Sequence, residues 1–221
     1  MIKCCIFDLD GTILDTIHSI TYFVNYAHKH FGIPEITVDE CKYFAGNGAK
    51  TLINRSTSSR GVTDPELVSK VRTYYVDAYD NIDPYYLTCP FDGMEEVLAS
   101  LKEKGIKLAV VSNKPDQTTK TVVKHFFGDI FDIVEGGREG IPLKPDPTLP
   151  NIVMEKLGVT GAETAFVGDT STDMETGKNI GASLKIGCLW GFRKIEELIE
   201  SGADVLAKES ADILRAIEEH V

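Results

Sequence analysis

The sequence predicts an open, doubly wound α/β fold with a parallel sheet and a helical block inserted after its first strand. Three features point there. An apolar N-terminal run ends abruptly in two acids, at Ile6-Phe7-Asp8-Leu9-Asp10-Gly11-Thr12. Residues 16–83 carry helical periodicity without a strand signal, and from Pro90 onward apolar strands alternate with helices to the end of the chain. Strands that are apolar throughout belong to sheets covered on both faces, which are parallel sheets. With 221 residues the chain suffices for one generous domain, or one domain with an insertion. The expected division is an α/β core of 1–15 and 84–221 and a helical insert of 16–83.

Each element has its own signal. After the first strand, apolar residues at Ile17, Ile20, Phe23, Val24, Ala27 and Phe31 recur at helical spacing, and Gly32-Ile33-Pro34 stops the helix. Thr37 to Phe44, Ala49 to Asn54 and Pro65 to Asn81 read as further helices, the last with Asp64 as N-cap ahead of Pro65. The aromatic side chains Tyr22, Phe23, Tyr26, Tyr74, Tyr75 and Tyr79 are expected to form the core of this small bundle rather than a ligand box. Beyond Pro90, the reading is helix 95–104, strand 106–111, helix 115–127, strand 130–134, helix 149–157, strand 165–167 and helix 172–180. Strand 183–186, helix 195–199, strand 204–206 and helix 213–219 complete the alternation.

In a parallel sheet the C-terminal strand tips converge on one edge, where such folds bind ligands. These tips carry the chemistry. Asp8 and Asp10 come after the first strand, Ser112 after the second, Lys144 precedes the helix from Leu149, and Asp169 and Asp173 come after a later strand. Two carboxylates held side by side need a cation between them or a raised pKa on one. Acids that hold a cation, donors for equatorial oxygens and an in-line nucleophile are what phosphoryl transfer requires. A net charge of −11 argues against nucleic acid as partner. No apolar run reaches membrane-spanning length, so a cytoplasmic location is expected. The five cysteines, Cys4, Cys5, Cys41, Cys89 and Cys188, match no metal or redox spacing and are expected to pack as small apolar residues.

Taken together, Asp-Leu-Asp-Gly-Thr at 8–12, Val-Val-Ser-Asn-Lys at 110–114, Lys-Pro-Asp-Pro at 144–147 and Gly-Asp-Thr-Ser-Thr-Asp at 168–173 resemble the four motifs of the haloacid dehalogenase superfamily, in its order. The resemblance covers nearly the whole chain and implies its Rossmann-like core, with the helical insert as that family's first type of cap domain. Within the superfamily, Gly46-Asn47-Gly48-Ala49 with Leu52 and Arg55, Ser112-Asn113-Lys114-Pro115 and Trp190-Gly191-Phe192 are similar to bacterial phosphoglycolate phosphatases.

The resemblance implies a role for each motif residue. It makes Asp8 the nucleophile that attacks phosphorus to form an aspartyl-phosphate, and Asp10 the acid that protonates the leaving alkoxide and later deprotonates water. By the same likeness Lys144 offsets the charge on Asp8 and phosphate, while Ser112, with backbone around Leu9 and Asn113, grips phosphoryl oxygens. The implied Mg²⁺ is held by Asp8, the Asp10 carbonyl and Asp169, with Asp173 either a ligand through water or an orienter of Lys144. Thr12, Gly46, Asn47, Gly48 and Arg55 complete the implied substrate-binding set. Thr12 also reads as a support of the first loop. The Gly-rich turn either offers backbone N–H groups to a small carboxylate or only lets the insert turn tightly against the core.

The activity implied is hydrolysis of a small anionic phosphomonoester, 2-phosphoglycolate first, by a monomer or homodimer. A phosphosugar mutase of the same fold and a non-enzymatic phosphoacceptor or regulatory protein are the alternatives. A dehalogenase has no use for the acid at Asp10. Lys114 and Arg193 sit within reach of substrate, but charged loop residues usually face solvent. His18, His28, His30, His125 and His220 fit no ligand spacing; His18 lies near the hinge into the insert.

Overall fold

A computed structural model describes residues 1–220. The first strand, β1 (Cys4–Phe7), is buried at every position. Alternate side chains serve opposite faces: Cys5 and Phe7 join one apolar cluster, and Cys4 and Ile6 another. A two-residue strand, β2 (Leu14–Asp15), leads into four helices: α1 (Ile17–His30), α2 (Val38–Phe44), α3 (Gly48–Ser58) and α4 (Pro65–Asn81). Thr37 and Glu40 close a capping box on α2, and Asp64 accepts from the Leu67 amide at the start of α4. These helices bury their own cluster, with Phe23, Val24, Ala27, Ile53 and Val71 at its centre.

The chain returns through β3 (Cys89–Pro90), which pairs antiparallel with β2, Leu14 opposite Pro90 and Asp15 opposite Cys89. The two connections between insert and sheet are thus tied side by side. Leu87, just before β3, has a positive φ of 51°. This ribbon had no signal in the sequence, because two-residue strands have no period to display.

The alternation beyond it is α5 (Met94–Glu103), β4 (Lys107–Pro115), α6 (Asp116–Phe127), β5 (Ile133–Gly137), α7 (Thr148–Leu157), β6 (Thr164–Gly168), α8 (Ser171–Asn179), β7 (Leu184–Cys188), α9 (Ile195–Glu200), β8 (Val205–Ala207) and α10 (Ser210–Glu218). The six-stranded sheet has the order β5-β4-β1-β6-β7-β8, and each of its pairings is parallel. The order reverses at β1, which has β4 on one side and β6 on the other; Phe7 pairs with both Val110 and Val167. That is a topological switch point, the place where open α/β sheets form a crevice.

Several expectations require correction. The third core strand is Ile133–Gly137 rather than 130–134, since Asp132 caps its start by accepting from the Leu108 amide. Helix α3 runs to Ser58, past the expected end at Asn54. Strand β4 continues through Pro115, with a shift of register against β5 between Val111 and Pro115. Ser112, Asn113 and Lys114 therefore lie within an irregular strand, where a bulge re-aims side chains, and not in a loop. Cys89 is exposed, whereas the other four cysteines are buried. The aromatic set divides: Phe23, Tyr75 and Tyr79 are core, but Tyr22 and Tyr26 are 40% and 38% exposed and stack on the outer surface. Among the described residues, no helix is long and apolar enough to cross a membrane.

Candidate active site

Asp8 leaves β1 beside the tips of β4 and β6, and its amide donates to the Val167 carbonyl (2.9 Å). Lys144, on the connection between β5 and α7, is buried and places its ammonium 2.8 Å from Asp8 Oδ1 and 2.7 Å from Asp173 Oδ1. Asp173 is fully engaged: its Oδ2 accepts from the Asp169 amide (3.2 Å), the Thr170 amide (3.0 Å) and the Thr170 hydroxyl (2.7 Å). It orients Lys144 and braces the start of α8. Asp169 in turn accepts from the Thr12 hydroxyl (3.0 Å) and the Phe192 amide (2.7 Å).

Small residues make this packing possible. A Cβ on Gly11 or Gly191 would come within 2.5 or 2.2 Å of Asp169, and one on Gly168 within 2.2 Å of Asp173. The segment Trp190-Gly191-Phe192 thus acts as a clamp on Asp169 and on the first loop, since the Trp190 indole also donates to the Thr12 carbonyl (3.1 Å).

Asp8, Asp169 and Asp173 each present an oxygen, all within 4.8 Å of one another. Against these three carboxylates stands one ammonium, that of Lys144. Burial pushes the Asp8 carboxyl up to about 7, opposed by Lys144 and reinforced by Asp173. Burial likewise raises Asp169 well above the carboxylate range, with Asp173 and Asp8 adding to it. Burial alone would lower Lys144, but Asp173 and Asp8 outweigh it and hold its pKa above the usual lysine range. Asp8 Oδ2 has no protein partner among the described residues. A cluster of hard oxygen donors with surplus negative charge fits a divalent cation.

Asp10 stands apart from this trio. Its carboxylate lies 3.2 Å from the ammonium of Lys114, which also donates to the Tyr79 hydroxyl (3.1 Å) and sits 4.2 Å from the centre of that ring. Lys114 is only 8% exposed, so the expectation of a solvated loop lysine fails; strand β4 points it into the molecule. Burial would lower its pKa, but Asp10 and the Tyr79 and Tyr75 hydroxyls raise it beyond the ordinary range. Arg193 is also no surface residue. It donates to the carbonyls of Lys42 and Ala45 (2.8 Å to the latter), satisfying the last turn of α2.

Asp8, Asp10, Ser112, Asn113 and Lys114 line one wall of a small cleft, with Ile20, Gly46, Gly48, Leu52 and Tyr75 opposite; it holds roughly 50 Å³. Other expected substrate residues point elsewhere. Thr12 is fully buried, its hydroxyl committed to Asp169. Arg55 is exposed and donates to the Tyr43 and Phe44 carbonyls and to Asn47 Oδ1, bracing the turn instead of the cleft. The Asn47 amide donates to the Thr172 hydroxyl (3.0 Å) across the boundary. The Asn113 side chain clamps two backbones: it donates to the carbonyls of Gly46 and Lys144 (both 3.1 Å) and accepts from the Lys144 amide (2.8 Å). Gly48 fits tightly, since a Cβ there would meet Leu143 at 2.8 Å. Tyr75 and Tyr79, missed at the sequence level, sit one turn apart on α4; their spacing marked a buried face but not which neighbour it met.

The model of the haloacid dehalogenase-like hydrolase family matches residues 5–185. The phosphoglycolate phosphatase of Vibrio vulnificus (strain YJ016) is 31% identical over 220 residues, 98% of this chain and 96% of that protein. A crystal structure from Lactobacillus delbrueckii subsp. bulgaricus superposes with a TM-score of 0.83 at 32% identity, covering 97% of this chain and 98% of that one. One from Haemophilus somnus reaches a TM-score of 0.90 at 24% identity, over 98% of both chains, a likeness of fold alone.

Proposed function

This chain belongs to the haloacid dehalogenase-like hydrolases and is a phosphatase; we propose that it hydrolyses a small anionic phosphomonoester, 2-phosphoglycolate first, with Mg²⁺ and through an aspartyl-phosphate. One observation carries the reading: two carboxylates two residues apart occupy different environments in one cleft. Asp8 lies on Lys144 beside the acidic cluster, and Asp10 lies on Lys114 at the insert. Acids so separated can divide nucleophile from proton-transfer roles.

Asp8, held by Lys144, attacks phosphorus with Oδ2, the oxygen without a protein partner. Lys144 stabilises charge on Asp8 and on the transferring phosphoryl group, oriented by Asp173. The Ser112 hydroxyl, buried in the cleft, donates to a phosphoryl oxygen. Asp10 gives a proton to the departing alkoxide and then takes one from the water that opens the acyl phosphate. Asp8, Asp169 and the Asp10 carbonyl would hold Mg²⁺, which supplies positive charge to the phosphoryl oxygens. Residues 16–83 serve as a cap domain on a core of 1–15 and 84–221, moving about Asp15 and Leu87 and excluding water when closed. The contacts of Arg193, Asn47 and Asn113 across the boundary support a closed state here. The relative's substrate and the small volume of the cleft both favour a short ester.

Phosphate release from a panel of phosphomonoesters, with and without Mg²⁺, tests this reading in wild type and Asp8→Asn. Preference for 2-phosphoglycolate, lost with the metal or the carboxylate, is expected. No release from any ester would overturn it.

A further inference from the structure

The two buried lysines of the site are not equally engaged. Lys144 lies between two carboxylates, at 2.8 and 2.7 Å. Lys114 meets one, Asp10, whose two carboxylate oxygens lie 3.2 and 3.5 Å away, and otherwise the Tyr79 hydroxyl at 3.1 Å. Its three N–H donors face these three oxygens, so the ammonium has a single carboxylate partner. The Tyr79 hydroxyl in turn pairs with the Ser19 hydroxyl (3.2 Å), which fixes it beside Lys114. Lys114 is also the one cation among the residues that line the cleft.

Resting on the phosphatase reading above, we propose that Lys114, backed by Tyr79, is the specificity-determining residue that receives a carboxylate at the far end of the substrate. Charge chooses the ligand: a carboxylate on a buried ammonium makes a bond about twice as strong as a neutral oxygen does. It also completes for Lys114 what Lys144 already has, a cation flanked by two anions. Size limits the chain length, because Ile20, Leu52 and Tyr75 close the cleft opposite Asp8 and Lys114. The residue stands on the core strand β4 but is met by Tyr79 of the insert, so the pocket for the carboxylate is complete only when the two are in contact.

The test compares kcat/KM for 2-phosphoglycolate with that for ethyl phosphate, whose methyl group replaces the carboxylate, in wild type, Lys114→Met, Lys114→Arg and Tyr79→Phe. In Lys114→Met the preference for the carboxylate ester is expected to fall on the order of 100-fold. Lys114→Arg should retain part of it, and Tyr79→Phe should reduce it several-fold. Should Lys114→Met not fold, Tyr79→Phe, which removes a single oxygen, carries the test. An unchanged ratio, whether both esters slow together or neither does, overturns the proposal. So does a wild type without preference that still releases phosphate. A wild type that releases none from either ester or from p-nitrophenyl phosphate overturns instead the phosphatase reading beneath it.

Discussion

The two walls of the cleft are held by different physics. On the sheet side, Asp8, Asp169, Asp173 and Lys144 are buried and mutually bonded, and glycines at 11, 168 and 191 leave no space for even a methyl group. On the insert side, contacts run largely through backbone carbonyls, those of Lys42, Ala45 and Gly46, with a few side-chain pairs such as Asn47–Thr172 and Tyr79–Lys114 beside them. A wall of mutually dependent charges cannot change one member without stranding another. A wall bound through backbone tolerates new side chains. The first suits the invariant step of a reaction, the second the choice of substrate.

Predictions can break or sharpen that contrast. The largest effect belongs to Asp8→Asn, which should lower kcat by about 10⁴-fold or more while leaving the circular dichroism spectrum intact. Residual turnover near wild type would remove Asp8 from the chemistry. Chelation of divalent metal should lower activity at least about 100-fold. Independently of turnover, Mg²⁺ should raise the melting temperature of wild type but not of Asp169→Ala; equal shifts would move the metal elsewhere. Lys144→Met strands Asp8 and Asp173 without a cation and should cost about 3–5 kcal/mol in denaturant unfolding. On the insert side Arg193→Ala removes the donors to the α2 carbonyls, together with a 3.4 Å ion pair to Glu197 within the core. It should raise KM about tenfold with kcat within about threefold, if the closed state contributes to binding. An equal loss in kcat would place the insert inside the chemical step.

The smallest effect is a dependence on pH confined to the insert. His28 is buried between the Pro34 carbonyl (2.8 Å) and the Ser56 hydroxyl (3.1 Å). Burial lowers its pKa from the ordinary 6.5; the Pro34 bond opposes this and nearby Arg60 adds to it. The folded insert therefore resists a proton that the unfolded chain accepts. Its stability is complete above pH 6.5 and declines as pH falls through that value toward the lowered one. Hydrogen exchange should show the amides of α1 and α3 opening more readily at pH 5.5 than at 7.5, an effect removed by His28→Gln. Equal opening in the sheet would mean that insert and core unfold as one.

Legibility in the sequence divides along the same line. Strand tips were readable where each is a local event: an apolar run stops and a carboxylate comes next, as at Asp8 and Asp169. Helices with caps were readable too, Pro65 to Asn81 to the residue, because Asp64 and Pro65 act on their nearest neighbours. The β2–β3 ribbon was not, nor the buried state of Lys114 and Arg193, nor the turning away of Thr12, Asn47 and Arg55.

The sequence by itself thus determined the parallel α/β sheet, the helical insert after its first strand and the acids and lysine at the strand tips. These depend on periodicity and on residues adjacent along the chain. Only the tertiary structure decided what each polar group faces: that Asp10 meets Lys114 and not the acidic trio, that Asp173 serves Lys144, and that the Tyr79 hydroxyl meets Lys114. Those contacts join residues 29 to 104 positions apart. Their partners are chosen by how the insert packs on the sheet and how the strand tips converge, and no local pattern along the chain records that choice.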